Sequence, residues 1–313
     1  MLLRRLALAS LVANIAIVIT GGAVRLTGSG LGCPTWPKCT DSSYTATREM
    51  GVHGAIEFGN RMLGGVVGLI AIALLLATIR YRRRDLVPLA ALTLAGVLAQ
   101  GLLGGVTVLT GLNPWTVAAH FLLSMAVIAV GYLLWYRITG TPAEPAPKPV
   151  RGLVVVVTAA AAVVLVLGTV VTGSGPHAGD PDTPRLGFDL TTVAQVHADA
   201  VFFLIGASVA LWFALRAVGA PRQATRAAAI LVGVELAQGV VGVVQYAMHL
   251  PVLAVGLHMA GACAVWLAAV AIWPTVGMTR ATERGMMAVC PPKHPPQENP
   301  PQERTVSRSY ANS

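Results

Sequence analysis

Leu98-Ala99-Gln100-Gly101 is repeated as Leu236-Ala237-Gln238-Gly239, and a histidine follows each copy inside an apolar segment. His120 follows the first tetrapeptide at the same distance as His258 follows the second. The two copies therefore align without a gap. Histidine is rare and costly inside a bilayer, so a repeated one indicates a function, and metal or haem ligation is the leading candidate.

The composition places these segments in a membrane. With 55% hydrophobic and 11% charged residues, the chain is not typical of a soluble protein. Apolar stretches of about 20 residues are long enough to cross the hydrocarbon core as helices. The sequence predicts an all-α integral membrane protein with eight transmembrane helices, over about 6–24, 52–78, 86–108, 115–136, 152–172, 191–215, 225–246 and 252–274.

The repeat predicts how these helices are organised. A second tetrapeptide also occurs twice, and it supports a duplicated module: Thr27-Gly28-Ser29-Gly30 and Thr172-Gly173-Ser174-Gly175. An even number of spans in each copy keeps the copies parallel, so we expect two tandem four-helix bundles related by a pseudo-two-fold axis along the membrane normal. The predicted division is a bundle over 1–138, a proline-rich cytoplasmic linker over 139–150, a second bundle over 151–276 and a disordered cytoplasmic tail over 277–313.

The net charge of +9 is a topology signal. Basic residues are concentrated on alternate loops, which predicts that these loops and both termini are cytoplasmic in a bacterial-type plasma membrane. No nucleic-acid partner is expected. Cys33 and Cys39 share the first outer loop, on the oxidising side, where a disulfide is predicted. That disulfide could staple the loop or relay electrons.

The second half contains a pair of histidines. His197 and His258 lie at matching depth on two helices of one predicted bundle, which favours bis-histidine coordination of a haem iron. Glu235 also falls near mid-membrane, where the first half has Val97. For Glu235 we expect only a hydrogen bond to a neighbouring helix.

The first half is an imperfect copy. Alignment of spans two and six puts Asn60 where His197 stands, and asparagine is a poor iron ligand. His53 lies on the face of Asn60 but two turns away, about 10 Å along the helix. Glu57 has Arg61 at i+4, so it is either a functional carboxylate or half of a structural ion pair. An open site beside a titratable group suits a substrate.

The chain resembles the haem A synthase family over about residues 5–275. The resemblance rests on eight spans in two repeats, the outer-loop cysteine pair, Ile56-Glu57-Phe58-Gly59-Asn60-Arg61 in span two, and histidines in spans four, six and eight. It implies an oxidoreductase acting on CH groups, which oxidises the C8 methyl of haem O to a formyl group and so makes haem A for cytochrome c oxidase. It also implies haem O synthase and cytochrome oxidase assembly factors as partners, and it allows a homo-oligomer.

The resemblance also implies residue roles. The C-terminal half would hold a resident haem b, and the N-terminal half would bind haem O as substrate. The implied residues are His197 and His258 for the haem b iron, His120 with Asn60, Arg61 and His53 for the haem O site, Glu57 for catalysis, and Cys33 with Cys39 for the disulfide.

One departure from the family concerns span two. Much of the family has Glu-x-x-His-Arg there, whereas this chain has Glu57-Phe58-Gly59-Asn60-Arg61. Either His53 replaces the missing histidine, or His120 alone holds the substrate iron. Chemically, a methyl carbon oxidised through the conjugated ring could be trapped by water as the oxygen source, with Glu57 accepting the proton.

Two other functions are compatible with the sequence. A di-haem b-type electron carrier predicts two equivalent haems and no dependence on Glu57. A transporter with histidine proton relays predicts no haem.

Overall fold

The computed structural model describes residues 1–141 and 143–278. Over these ranges the chain forms eight α-helices and no strand. The helices are Leu2–Leu26 (α1), Gly51–Arg80 (α2), Val87–Leu109 (α3), Pro114–Thr139 (α4), Lys148–Ser174 (α5), Leu190–Ala217 (α6), Arg222–Ala247 (α7) and Val252–Thr275 (α8). All eight are long and apolar enough to cross a membrane, which confirms the predicted all-α membrane fold. The tail predicted to be disordered lies, beyond its first two residues, outside the described ranges.

Large apolar side chains cover the outside of the helices. Leu253, Phe202 and Val243 are 76%, 72% and 70% exposed. Apolar surface of this extent is unfavourable in water but is matched by lipid tails. The chain is therefore a multi-pass membrane protein.

Helix starts follow local capping chemistry. α4 begins after Asn113, whose Oδ1 accepts a hydrogen bond from the Trp115 backbone N–H at 3.0 Å. α5 begins at Lys148, so the end of the predicted linker is helical. Pro149 is compatible with this start because backbone N–H groups in the first turn of a helix have no intrahelical acceptor.

The helices pack as two neighbouring sets. α1 to α4 contact one another in chain order, and α1 also contacts α4; the same holds for α5 to α8 with α5 against α8. α8 packs on α1 and α4, and α5 packs on α4, so all eight helices form one compact unit. At this junction Trp266 Nε1 donates a hydrogen bond to the Met125 carbonyl at 2.7 Å. The domain boundaries and the two-fold axis stay predictions.

Candidate functional site

His197 on α6 and His258 on α8 face one another in the second helix set. Their ring centroids are 6.4 Å apart, and the ring planes are inclined by 69°. Two imidazoles that bind one metal ion from opposite sides, at about 2 Å from each ring nitrogen, have centroids roughly 6 to 6.5 Å apart. The observed separation therefore suits a shared metal ion.

The surroundings of this pair restrict the kind of metal centre that it could form. In the described ranges, no group of three or more His, Cys, Asp or Glu side chains could hold a metal ion. A metal between His197 and His258 would thus need its other ligands from a bound group, as a porphyrin supplies them. The Nδ1 atoms of His120, His197 and His258 are buried without a hydrogen-bond partner. A buried ring nitrogen without a hydrogen-bond partner is unfavourable in an apolar span.

Each of these three rings rests against a glycine of a neighbouring helix. A Cβ atom added at Gly168 would lie 3.3 Å from His197 Cε1, and one added at Gly242 would lie 3.2 Å from His258 Cε1. In the first set, a Cβ at Gly104 would lie 3.3 Å from His120 Cε1. These distances are shorter than ordinary carbon–carbon contacts, so the glycines make room for the imidazoles.

The repeated tetrapeptide supports the same histidines from the backbone side. Gln100 Nε2 donates to the His120 carbonyl at 3.0 Å, and Gln238 Nε2 donates to the His258 carbonyl at 2.7 Å. These hydrogen bonds join α3 to α4 and α7 to α8 at the level of the histidines. The repeat thus encodes both the histidine and the residue that holds its helix turn in place.

His120 has no such histidine partner among the described residues. Asn60 Oδ1 accepts a hydrogen bond from Thr20 Oγ1 at 2.8 Å, so its side chain is engaged with α1. His53 is exposed, and its Nδ1 lies 2.9 Å from Ser29 Oγ in the first outer loop. The structure therefore presents a single imidazole, His120, where the second set presents two.

Glu57 and Arg61 form a buried ion pair that anchors the outer loop. The Glu57 side chain is only 7% exposed, and its Oε1 accepts from Arg61 Nη2 at 2.6 Å. Its Oε2 accepts a hydrogen bond from the Cys33 backbone N–H. Arg61 also donates to the carbonyls of Cys33, Thr35 and Lys38, at 2.8 to 3.1 Å. Both charges are satisfied, as a pair at this depth requires.

The anchored loop covers the first helix set. It contains the predicted disulfide, Cys33–Cys39, which the structure confirms. Trp36 lies between the two cysteines and packs so closely on α3 that a Cβ at Gly105 would meet its indole ring at 2.5 Å. The adjacent glycine, Gly104, is the one that contacts His120. Trp36 therefore connects the loop to the helix that supports His120.

The segment that follows α1 contacts the segment that follows α5. The Gly30 backbone N–H donates to the Gly179 carbonyl at 2.9 Å. Arg25, at the end of α1, donates to the carbonyls of His177 and Thr172 at 2.7 and 3.1 Å. Arg185 donates to the Pro176 carbonyl at 2.7 Å. These contacts bring the guanidinium groups of Arg25 and Arg185 to the segment after α5, and both donate to its backbone carbonyls or to the end of α5.

Several residues that contact the histidines, the loop or other buried polar groups could not be identified from the sequence. No repeated motif marks Gly168. Trp36 is only part of a cysteine-containing loop until the structure places it on Gly105. Ser208 lies inside an apolar span and belongs to no sequence motif. In the structure it is fully buried and donates a hydrogen bond to Glu235. A search for polar residues that share a helix face with each histidine would have found Ser208.

Comparison with known proteins gives a consistent result. The model of the cytochrome oxidase assembly protein family, COX15-CtaA, matches residues 4–270. A protein of Bacillus licheniformis named "Heme A synthase" is 30% identical over 135 residues, which is 42% of this chain and 44% of that protein. Proteins of the same name from Listeria welshimeri and Bacillus cereus are 34% and 33% identical over 122 and 125 residues. These two alignments cover 38% and 39% of this chain and 40% of each relative, so the match spans less than half of these relatives.

Proposed function

The chain belongs to the cytochrome oxidase assembly protein family COX15-CtaA, and on that premise we propose that it is a haem A synthase. The proposed reaction converts the C8 methyl group of haem O to a formyl group. The observation that carries the proposal is the contrast between a facing pair of histidines in one helix set and a single histidine in the other. A pair of histidines would supply two ligands to a haem iron, whereas a single histidine would supply one.

His197 and His258 are the residues that would hold a resident haem b. Their ring separation and the glycines behind the rings fit this group. When bound, haem b would supply a one-electron redox centre close to the substrate half. In this role Gln238 and Gly242 hold the imidazole of His258 in position.

His120 would hold the substrate, haem O, from one side. Gln100 fixes its helix turn, and Gly104 leaves space for its ring. Asn60 and His53 are bonded to Thr20 and Ser29, so in this proposal neither ligates the iron. This arrangement favours the second of the two possibilities that the sequence left open, in which His120 alone holds the substrate iron.

Glu57 would act on the protons of the reaction. Conversion of a methyl to a formyl group with one net water releases four electrons and four protons, so a group that accepts protons beside the substrate is needed. Glu57 is the carboxylate on the face of α2 that also carries Asn60, and it is positioned by Arg61 and the Cys33 N–H. The same contacts let Glu57 hold the loop that brings Trp36 over the site, which would exclude bulk water.

The proposed topology puts both termini and the arginine-rich loops in the cytoplasm, and the disulfide loop outside, in a plasma membrane. Haem O carries a farnesyl chain, so it would reach the His120 site through the bilayer, from a haem O synthase. The product would pass to cytochrome oxidase assembly factors.

The test is haem analysis in a host that makes haem O but no haem A, with this chain expressed. We expect haem A in extracts from cells with the wild-type chain, and none with His120→Ala. An unchanged haem O pool with haem b bound to the purified protein would instead support the electron carrier. Absence of any haem from the purified protein would support the transporter.

The role of Glu57 needs its own comparison. Glu57→Gln should retain haem b and abolish conversion, whereas Glu49→Gln, a carboxyl change just before α2, should leave conversion at the wild-type level. Arg61→Gln loosens the loop but keeps the carboxylate. If Glu57→Gln converts haem O normally, the proton role is wrong. If both site variants lose conversion and both expose the loop to limited proteolysis, Glu57 acts by positioning the loop.

A further inference from the structure

A cleft opens where α4, α7 and α8 meet, on the side of the membrane that the charge pattern predicts to be cytoplasmic. Its volume is about 370 Å³. α4 and α7 both pack on α8, so the cleft lies at the junction between the two helix sets. Its lining residues on α7 run from Arg222, the first residue of the helix, to Ile230, about 12 Å further along the axis. The cleft therefore extends from the end of α7 into the membrane-spanning part of the molecule.

One end of the cleft is basic. Arg222 and Arg226 line it, and they lie one helix turn apart on the same face of α7. Both residues are exposed, and neither takes part in an ion pair with a residue that the structure describes. Two neighbouring guanidinium groups without a carboxylate partner attract an anion, and the geometry of a guanidinium group suits phosphate in particular.

The other end of the cleft is apolar. Ala227, Ile230 and Ala271 line it, and Ile230 is 51% exposed, so this end opens on the surface that faces lipid. Tyr132 lines the α4 side and is half-buried. An aromatic ring that carries a hydroxyl group is typical of the level at which lipid headgroups meet acyl chains. The cleft thus changes from basic to apolar along its length, as a phospholipid changes from phosphate to hydrocarbon.

The first helix set does not carry the same residues. The alignment of the two repeated tetrapeptides puts Pro88 at the position of Arg226 and Leu89 at the position of Ala227. The first set therefore lacks one of the two positive charges, and it has a larger side chain where the cleft has alanine. The basic and apolar ends of the cleft are properties of these particular residues and do not follow from the repeated architecture.

We propose that this cleft binds an anionic phospholipid such as phosphatidylglycerol, with its phosphate at Arg222 and Arg226 and an acyl chain along Ala227, Ile230 and Ala271. Basic pockets between transmembrane helices are suited to such headgroups. A soluble phosphate compound has no chain to occupy the apolar end, and a lipid without net charge leaves the two guanidinium groups without an anion. The first turn of α7, which no side chain caps, adds to the attraction for a negative group.

A lipid bound in this cleft would join the two helix sets. α4 belongs to the first set, whereas α7 and α8 belong to the second. The lipid would contact all three helices, and it would find this arrangement only in the folded protein. A ligand that binds the folded state alone raises the free energy of unfolding, so bound lipid would stabilise the junction.

The test measures lipid binding to the purified full chain. The protein is stripped of lipid in detergent and titrated with phosphatidylglycerol or with phosphatidylcholine of the same acyl chains, and bound lipid is detected by native mass spectrometry. We expect one tightly held phosphatidylglycerol and a thermal midpoint that rises with its concentration. Arg222→Gln with Arg226→Gln should weaken this binding roughly thirtyfold. The matched control, Arg80→Gln with Arg84→Gln, removes two exposed arginines outside the cleft and should leave binding unchanged.

Ala227→Leu separates the cleft from the surface charge. It keeps both arginines and places in the cleft the residue type that the first half has at the equivalent position. Phosphatidylglycerol binding should weaken about tenfold, because the larger side chain occupies the space of the acyl chain. This variant also decides the matter if the double arginine variant does not fold.

Three results would overturn the proposal. They are equal binding of the two lipids, an equal loss of binding in both pairs of arginine variants, and unchanged binding in Ala227→Leu. Release of the bound lipid by excess inorganic phosphate would also overturn it, because the site would then recognise phosphate alone. None of these results bears on haem conversion, so the synthase proposal is tested separately.

Discussion

Gly242→Ala tests whether the imidazole of His258 is a ligand whose position is set by a glycine. The added methyl group would lie 3.2 Å from His258 Cε1 and 3.6 Å from its Nδ1. Ordinary contacts between carbon atoms begin near about 3.5 Å, so the ring must retreat by a few tenths of an ångström. Gly239→Ala, one turn earlier on α7, is the matched control, because nothing lies within 4 Å of its added Cβ.

The size of the effect follows from these contacts. Both substitutions gain about 1 kcal/mol of helix propensity, so that contribution cancels in the comparison. A side chain forced about 30° from its rotamer costs roughly 0.5 to 1.5 kcal/mol. If that cost falls on the iron–imidazole bond, haem b affinity should fall by about two- to tenfold in Gly242→Ala and stay unchanged in Gly239→Ala.

The assay is transfer of haem from the purified protein to excess apomyoglobin, with the absorption spectrum of the remaining haem recorded in parallel. Faster transfer from Gly242→Ala than from Gly239→Ala is the expected result. Equal rates and identical spectra would refute the reasoning, because they would show that the ring at this glycine does not hold the haem. In the first half, Gly104→Ala against Gly101→Ala makes the same comparison for haem O.

Individual contacts elsewhere in the molecule support three more predictions. Gln238→Leu removes the 2.7 Å hydrogen bond to the histidine carbonyl and should lower the free energy of unfolding by about 1 kcal/mol, seen as a lower thermal midpoint in detergent. Replacing Cys33 and Cys39 by serine should lower the free energy of unfolding by about 2 kcal/mol, because the short loop between them is no longer closed in the unfolded chain. A thermal midpoint of the wild-type chain that does not change when reductant is added would contradict this. Hydrogen bonds from the Thr192 side chain and backbone hold the pKa of Asp189 below its usual range. The Asp189 carboxylate therefore stabilises the start of α6 fully above the usual aspartate pKa, and this stabilisation is lost as the pH falls through the lowered pKa. Asp189→Asn should keep the cap but abolish that acid dependence in hydrogen exchange of the first turn of α6.

The two halves of the molecule differ in ways that suit two roles. In the proposed function, the facing histidines of the second set would favour a tightly held group that does not leave. The first set combines one histidine with a loop held by an ion pair, which in the same proposal would suit a substrate that must enter and leave. On this proposal, the two helix sets would provide a resident site and a reactive site by changes at a few positions.

Much of the fold follows from sequence pattern alone. A bilayer requires every backbone polar group to be satisfied inside its own segment, so apolar stretches of sufficient length must be helices, and the eight predicted spans are confirmed. The disulfide was also predictable, because Cys33 and Cys39 are close in sequence in a loop that the charge pattern predicts to lie on the oxidising side. The repeat identified His120 and His258 as equivalent, and the family resemblance agrees with the match over residues 4–270.

Contacts between distant segments were decided only by the tertiary structure. Sequence spacing could pair Glu57 with Arg61, but the bonds of that pair to the Cys33–Lys38 loop depend on how the loop folds back over α2. Likewise, the 6.4 Å approach of His197 and His258 depends on how α6 and α8 are placed across the second helix set, which is decided by the packing of α5 and α7 against both of them. Periodicity within a helix determines which residues share a face, but which faces meet depends on the summed packing of all eight helices, and no single segment carries that information.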